Sequence, residues 1–319
     1  MIKKKKLWAI TDGSQGMISQ VNGLAYYLNK NFTEKKCVVK WPWSFFQPGF
    51  IPIFKNIFNK DLFKSYPPHI IITCGRKSVY ASLYLKKILG KKLISIHIQN
   101  PKVNFKNFNF VISPNHDKIS GKNIINSVGA LNHINKIIIN KTKTLFKVPQ
   151  NKKKVLIILG GENNHYNFNE TILKKLILKI KGLLSKKNNY FFIFVSSRRT
   201  DKNFINIINK QLKKNIYVWD NKTNNPYLFS LKIADYIIVT SDSTSMISEA
   251  CSTGKPVFIF HLPFKRKSLR FEYFHREFEK KGFTRPFKNK LYTWKYKPLN
   301  ESKRIARILT TRILKENNE

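Results

Sequence analysis

At 319 residues the chain exceeds one comfortable hydrophobic core, and an apolar content of 42% excludes a disordered polymer. With 60 Lys and Arg against 17 Asp and Glu, the formal net charge is +43, and one reading of it is an anionic partner: phospholipid, nucleic acid or a phosphorylated substrate. Three well-separated cysteines, Cys37, Cys74 and Cys251, form no paired motif, which points to a reducing compartment and buried thiols rather than a disulfide framework.

The elements follow in chain order. Residues 7–11, 37–41, 70–73, 93–98 and 110–113 are Ile/Val/Phe-rich runs bounded by Gly, Pro or Asn, as buried parallel strands are. Between the first two, Met17, Val21, Leu24, Ala25 and Leu28 share one helical face, and Val79, Leu83, Leu85 and Ile88 suggest a second helix. Residues 141–153 are polar and contain Pro149, and read as an interdomain linker. The pattern then restarts with strands at 155–159, 190–195, 216–219, 236–239 and 257–260, helices at 172–184, 204–212 and 226–233, and a last helix at 302–314. The fold expected is α/β, with two Rossmann-like domains facing a cleft: residues 1–145, then residues 146–319, whose last helix packs back on the first domain.

The basic start, residues 3–6, precedes an apolar run too short for a signal peptide, and no segment approaches the ~20 apolar residues of a membrane span. The charge is spread evenly, with 25 basic and 4 acidic residues in 1–150 and 35 and 13 in 151–319. Abundant Lys, Asn, Ile, Phe and Tyr with scarce Gly fit codon drift in an AT-rich genome, with attraction to an anionic membrane surface as its consequence. No helix-turn-helix, zinc finger or RNP-type motif argues for a specific nucleic acid.

The densest signal is Thr240-Ser241-Asp242-Ser243-Thr244-Ser245, followed by Glu249 and by Thr253-Gly254-Lys255-Pro256. A strand leads into a hydroxyl-rich turn at a helix N-terminus, a ready anion site, and Glu249 lies two turns on, within reach of a ribose hydroxyl. Gly160-Gly161 and Ser197-Arg198-Arg199-Thr200 end the neighbouring strands, so all three turns ring one sheet edge and suit a phosphorylated ligand. Lys255 reads as a solvated turn residue. In the first domain, Asp12-Gly13-Ser14-Gln15-Gly16 follows the first strand, with Asp12 a candidate general base or a turn cap. Arg76 follows another strand and could hold a phosphate or carboxylate. Gln99 ends the next, and His116 beside Asp117 offers acid/base chemistry or a loop hydrogen-bonding pair. No HExxH, paired Cys or Asp-x-Asp pattern points to a metal, and no Walker A or G-x-S-x-G motif is present.

Several of these segments carry a resemblance. Trp8-Ala9-Ile10-Thr11-Asp12-Gly13, Cys74-Gly75-Arg76-Lys77-Ser78, Ile98-Gln99-Asn100-Pro101, Pro114-Asn115-His116-Asp117, Gly160-Gly161, Ser197-Arg198-Arg199-Thr200, Asn225-Pro226-Tyr227 and the 240–256 motif together resemble the mitochondrial-fission family named after the plant elongated-mitochondria protein, in its bacterial branch. That family is similar to two-domain GT-B glycosyltransferases. The resemblance implies a nucleoside-diphosphate sugar as donor substrate, with no other cofactor and no metal. It implies Glu249 on the ribose, Arg198 or Arg199 near the diphosphate, and a base near Asp12. Met17 stands where family members often carry His.

Three readings follow. The first is a metal-independent glycosyltransferase, cytoplasmic and peripheral on the inner face of a membrane, acting on an envelope lipid or saccharide. The second, implied by plant relatives that recruit fission machinery, is a non-catalytic adaptor on the same scaffold. The third, a nucleotide-sugar epimerase or dehydrogenase, would want G-x-G-x-x-G and a Tyr-x-x-x-Lys pair, and neither is found arranged on a helix.

Overall fold

The computed structural model describes residues 5–50, 52–186 and 189–316, so Lys3 and Lys4 of the basic start lie outside the described residues. The chain forms two compact units, one built from residues up to 133 together with those from 300 onward, the other from residues 134–299.

In chain order the first unit contains β1 (Leu7–Thr11), α1 (Gln15–Leu28), β2 (Phe32–Lys36), β3 (Ile70–Cys74), α2 (Arg76–Leu89), β4 (Ile94–Ile98), β5 (Phe110–Pro114) and β6 (Ile124–Ser127). The second contains α3 (Lys136–Lys141), β7 (Lys153–Leu159), α4 (Glu170–Lys186), β8 (Tyr190–Ser196), α5 (Asn203–Gln211), β9 (Ile216–Val218), α6 (Tyr227–Ile233), β10 (Tyr236–Thr240), α7 (Thr244–Cys251), β11 (Val257–Phe260), α8 (Leu269–Lys280) and β12 (Thr284–Pro286). Helix α9 (Glu301–Glu316) returns to the first unit.

Each unit holds one six-stranded sheet, ordered β2-β1-β3-β4-β5-β6 and β12-β11-β10-β7-β8-β9, and the strand pairs are parallel. The fold is α/β, and each half is Rossmann-like. Parallel strands are covered on both faces, which is why β1, β3 and β5 are buried along their whole length. The strand order reverses between β1 and β3 in one sheet and between β7 and β10 in the other. In open α/β sheets the carboxyl ends at such a reversal are where ligands bind.

Four expectations need correction. The strand expected at 37–41 is replaced by β2, whose sequence FTEKK has no apolar run and lies at the sheet edge. Cys37 and Val39 are buried in a loop instead, with Val39 bridging Phe58. The segment 141–153 is not a free linker. Helix α3 packs on α6, Lys232 Nζ donates to the carbonyls of Asn140 and Thr142, and Phe146 stacks on Tyr217 with centroids 3.7 Å apart. These contacts assign the segment to the second unit and move the division from 145/146 to 133/134. Lys255 is not solvated: its Nζ donates to Leu231 and Lys232 carbonyls, both at 2.6 Å, closing the end of α6.

Helix α9 lies against α1, and its Ile305, Ala306, Leu309 and Ile313 enter the core with Leu24 and Ala25. Glu301 accepts the Val128 N–H at 2.9 Å and pairs with Arg304, and Ser302 bonds the Asn132 backbone in both directions. Burying each of the three large side chains contributes roughly 1.5–3 kcal/mol.

Under β4, His97 is 1% exposed and meets the Thr73 hydroxyl at 2.8 Å through Nδ1. Burial pushes its imidazole down to about 3. The folded protein keeps it neutral while an unfolded chain protonates it near about 6.5, so its contribution is intact above about 6.5 and lost as pH falls toward about 3. Unfolding free energies from urea titrations between neutral and acid pH should fall by about 1 kcal/mol per pH unit from this group, and His97→Gln should flatten that slope.

Candidate functional site

In the second unit, β7, β8 and β10 end side by side, and their turns are strapped together by one polar network. The Gly160 N–H donates to Thr240 Oγ1 at 2.8 Å, and that hydroxyl donates to Asp242 Oδ1 at 2.6 Å. Asp242 Oδ2 accepts the Gly161 N–H at 3.1 Å and Arg199 Nη2 at 2.6 Å. Thr200 Oγ1 donates to the carbonyls of Leu159 and Gly160, and Ser197 Oγ accepts the Arg199 N–H at 3.2 Å. Asp242 is 2% exposed, and burial raises its carboxyl above the usual carboxylate range, against the pull of the Thr240 hydroxyl, Arg199 and the Gly161 N–H.

Asp242 and Ser241, expected to touch the ligand, are therefore scaffold. Both carboxylate oxygens are engaged, and Ser241 is fully buried, with Oγ accepting the Leu262 N–H at 2.9 Å. Its carbonyl accepts His275 Nε2 at 2.9 Å. Sequence reasoning missed His275 because the apolar residues of α8 alternate with Arg and Glu and no helix was assigned to that stretch. Burial pushes its imidazole down to about 4, and donation from Nε2 leaves the Nδ1 lone pair buried without a partner.

What remains open is Arg199, Arg198 and the start of α7. The Arg199 side chain is 43% exposed, held by one nitrogen and presenting the rest of its fork outward. Arg198 is exposed beside it. Ser243 caps α7, its Oγ accepting the Met246 N–H at 3.4 Å, so the N–H groups of Thr244 and Ser245 precede the first intrahelical acceptor. Ser245 is partly exposed. Two turns along, Glu249 is 9% exposed, and Tyr227, at the start of α6, donates its hydroxyl to Glu249 Oε2 at 2.9 Å. Burial, and after it the proximity of Glu249, raises the Tyr227 hydroxyl well above its usual range, so it stays a donor. The Asn-Pro-Tyr segment was visible in sequence, but its role in holding Glu249 was not.

The first unit is less open than its motifs suggested. Asp12 Oδ1 accepts both the N–H and the hydroxyl of Ser14, at 2.9 and 2.7 Å, so it caps its own turn, leaving Oδ2. Gly13 has φ +94°, and a Cβ there would strike the Lys36 side chain at 2.9 Å, so glycine is required. Gly16 has open space around it, and no close approach demands it. Arg76 donates to the Ser44 carbonyl at 2.9 Å, tying down a loop rather than facing outward free. Gln99 sits at φ 80°, its N–H donating to the Ile112 carbonyl at 2.7 Å, which makes it a turn residue after β4. The His116 side chain is 1% exposed, with Nε2 3.9 Å from Asp117 Oδ1, beyond hydrogen-bond length, while Asp117 Oδ2 accepts Ser113 Oγ at 3.4 Å. Among the described residues no group of three or more His, Cys, Asp or Glu is placed to hold a metal ion, and no helix is long and apolar enough to cross a membrane.

Comparison with known proteins places this geometry. In solved structures, UDP-GlcNAc 2-epimerase from Neisseria meningitidis, bound to UDP-GlcNAc, aligns with a TM-score of 0.54 at 14% identity, covering 97% of this chain and 100% of that one. A glycotransferase of kitacinnamycin aligns at 0.53 and 11% identity, covering 92% and 88%. At such identities the likeness is of fold, which is GT-B-like. In sequence, an uncharacterized protein of Rickettsia prowazekii (strain Madrid E) is 31% identical over 95% of this chain and 97% of its own length. The mitochondrial fission protein ELM1 of Arabidopsis thaliana is 24% identical over 84% of this chain and 67% of its own. The model of the family described as Mitochondrial fission ELM1 matches residues 15–313, and the chain belongs to that family.

Proposed function

We propose that the second unit binds the diphosphate and ribose of a nucleoside-diphosphate sugar, and that the protein is a metal-independent glycosyltransferase. The observation that carries this reading is the Arg199–Asp242–Gly161 bracket at the strand-order reversal. It fixes a guanidinium and a tight glycine turn beside the open N–H groups of α7. Charge developing on a leaving diphosphate is stabilised by donors already in place, and the bracket supplies the fixing that such donors need. Glu249, oriented by Tyr227, accepts from ribose hydroxyls. Asp12, through Oδ2, is the candidate base for an acceptor hydroxyl.

Calorimetry against nucleoside diphosphates, their sugars and inorganic pyrophosphate, at moderate salt, tests the binding step. One nucleoside diphosphate should bind well above pyrophosphate. Glu249→Gln and Arg199→Ala should each weaken it about 10- to 100-fold, the range for lost hydrogen bonds to charged groups. Binding no tighter than pyrophosphate would sink the proposal.

A second reading, a nucleotide-sugar-binding adaptor without transfer, is favoured by the buried His116 and by Ser14 occupying Asp12 Oδ1. Tight binding with no release of nucleoside diphosphate in the presence of lipid or saccharide acceptors would select it.

A further inference from the structure

Residues 41–54 read WPWSFFQPGFIPIF and carry no charge, in a chain with 60 Lys and Arg among 319 residues. Codon drift accounts for the phenylalanines and isoleucines of this segment, but not for its lack of lysine or for its tryptophans and prolines. The segment holds two of the five tryptophans and three of the 13 prolines, residues whose codons that drift removes.

Its described residues, 41–50 and 52–54, are anchored from within and carry exposed apolar side chains. Arg76 Nη2 donates to the Ser44 carbonyl, the Tyr80 hydroxyl to the Phe46 carbonyl at 2.8 Å, and the Lys40 N–H to the Ile57 carbonyl at 2.8 Å. Trp43 packs edge-on to Phe54, centroids 5.5 Å apart, and joins the core beneath. Outward stand Trp41, 77% exposed, Phe45, 70%, and Phe50, 83%, with Phe46 and Phe54 also exposed. A loop pinned at several points that still shows this many aromatic rings to water has an external use.

The flanks name the occupant. Lys36, Lys40, Lys55 and Lys64 are exposed around the segment, and between residues 35 and 64 the sole carboxylate is Asp61, already paired with Lys64 at 2.5 Å. Aromatic rings ringed by lysine match a bilayer surface, where rings enter the headgroup boundary and ammonium groups meet anionic headgroups. We propose that residues 41–54 dock the first unit onto an anionic lipid surface, with Trp41, Phe45 and Phe50 as the inserting side chains. This holds whether or not the second unit transfers a sugar.

Flotation of the full chain with phosphatidylcholine vesicles, with and without phosphatidylglycerol, tests it. Binding should require phosphatidylglycerol and be retained in part at about 1 M salt, where screening removes purely electrostatic attachment. The triple variant W41S/F45S/F50S keeps every charge. At physiological salt it should bind at least about 100-fold more weakly, from roughly tenfold per buried ring. All three side chains are exposed, so its melting temperature should match that of the parent. Brominated lipids should quench the parent's tryptophan emission, and Trp41→Phe should keep vesicle binding while losing much of the quenching. Equal binding by parent and triple variant would overturn the proposal, leaving net charge alone as the cause. So would a parent that self-associates in sedimentation without lipid while the triple variant stays monomeric, because the patch would then face a second copy.

Discussion

Asp242→Ala is expected to remove about 2–4 kcal/mol of folding stability and to weaken nucleoside-diphosphate binding by at least about tenfold, although Asp242 itself touches no ligand in the proposed mode. Its carboxylate accepts from Thr240, Gly161 and Arg199 at once. Removing it strands a buried N–H and a buried hydroxyl, each costing roughly 1–3 kcal/mol. Arg199, 43% exposed, escapes to solvent, so the penalty stays below that of a fully buried pair broken in half. Asp242→Asn should rescue only in part: its amide oxygen can face the Gly161 N–H and Arg199 while its NH₂ donates to the Thr240 hydroxyl, but the charge opposite the guanidinium is lost. Urea unfolding with calorimetry separates the two effects. A variant of parental stability that binds normally would show the bracket to be incidental.

Gly161→Ala should be nearly as damaging, at about 2–4 kcal/mol, whereas Gly16→Ala should stabilise by roughly 0.5–1 kcal/mol. A Cβ on Gly161 would overlap the carbonyl of Arg199, backbone that cannot step aside without opening the turn that carries the guanidinium. Around Gly16 nothing lies within 4 Å, and the residue sits inside α1, where alanine is the better helix former. In sequence both glycines belong to short polar segments that follow a strand. Paired thermal melts that move in opposite directions would confirm the distinction, and a destabilised Gly16→Ala would refute it.

That contrast shows where sequence reading reached and where it stopped. Strands such as β1 and β11 were legible because a buried parallel strand is an unbroken apolar run. Strand β2 was not, since an edge strand reading FTEKK earns its place by pairing with β1 rather than by burial. Helix α8 escaped because its buried Phe274 and Phe278 stand among charged neighbours. Gly160, Gly161, Arg199, Ser243 and Ser245 could be assigned to strand-end turns, and Glu249 to the helix that follows, because such turns announce themselves by composition. Which polar residues face outward is a different matter. Ser241 and Asp242 lie in the same turn as Ser243 and Ser245, and only the fold separates the pair that braces the loop from the pair left open. Tyr227 and His275 act on residues 22 and 34 positions away, distances at which no local pattern operates.

Helix α9 closes the core that β1 and α1 begin. On the ribosome, synthesis order and folding order then part company. The second unit is one continuous stretch and is complete when Leu299 emerges, but the unit made first must wait, with Leu24 and Ala25 uncovered, until residues 301–316 have followed it. The core that the start of this chain opens is therefore the last of the two to close.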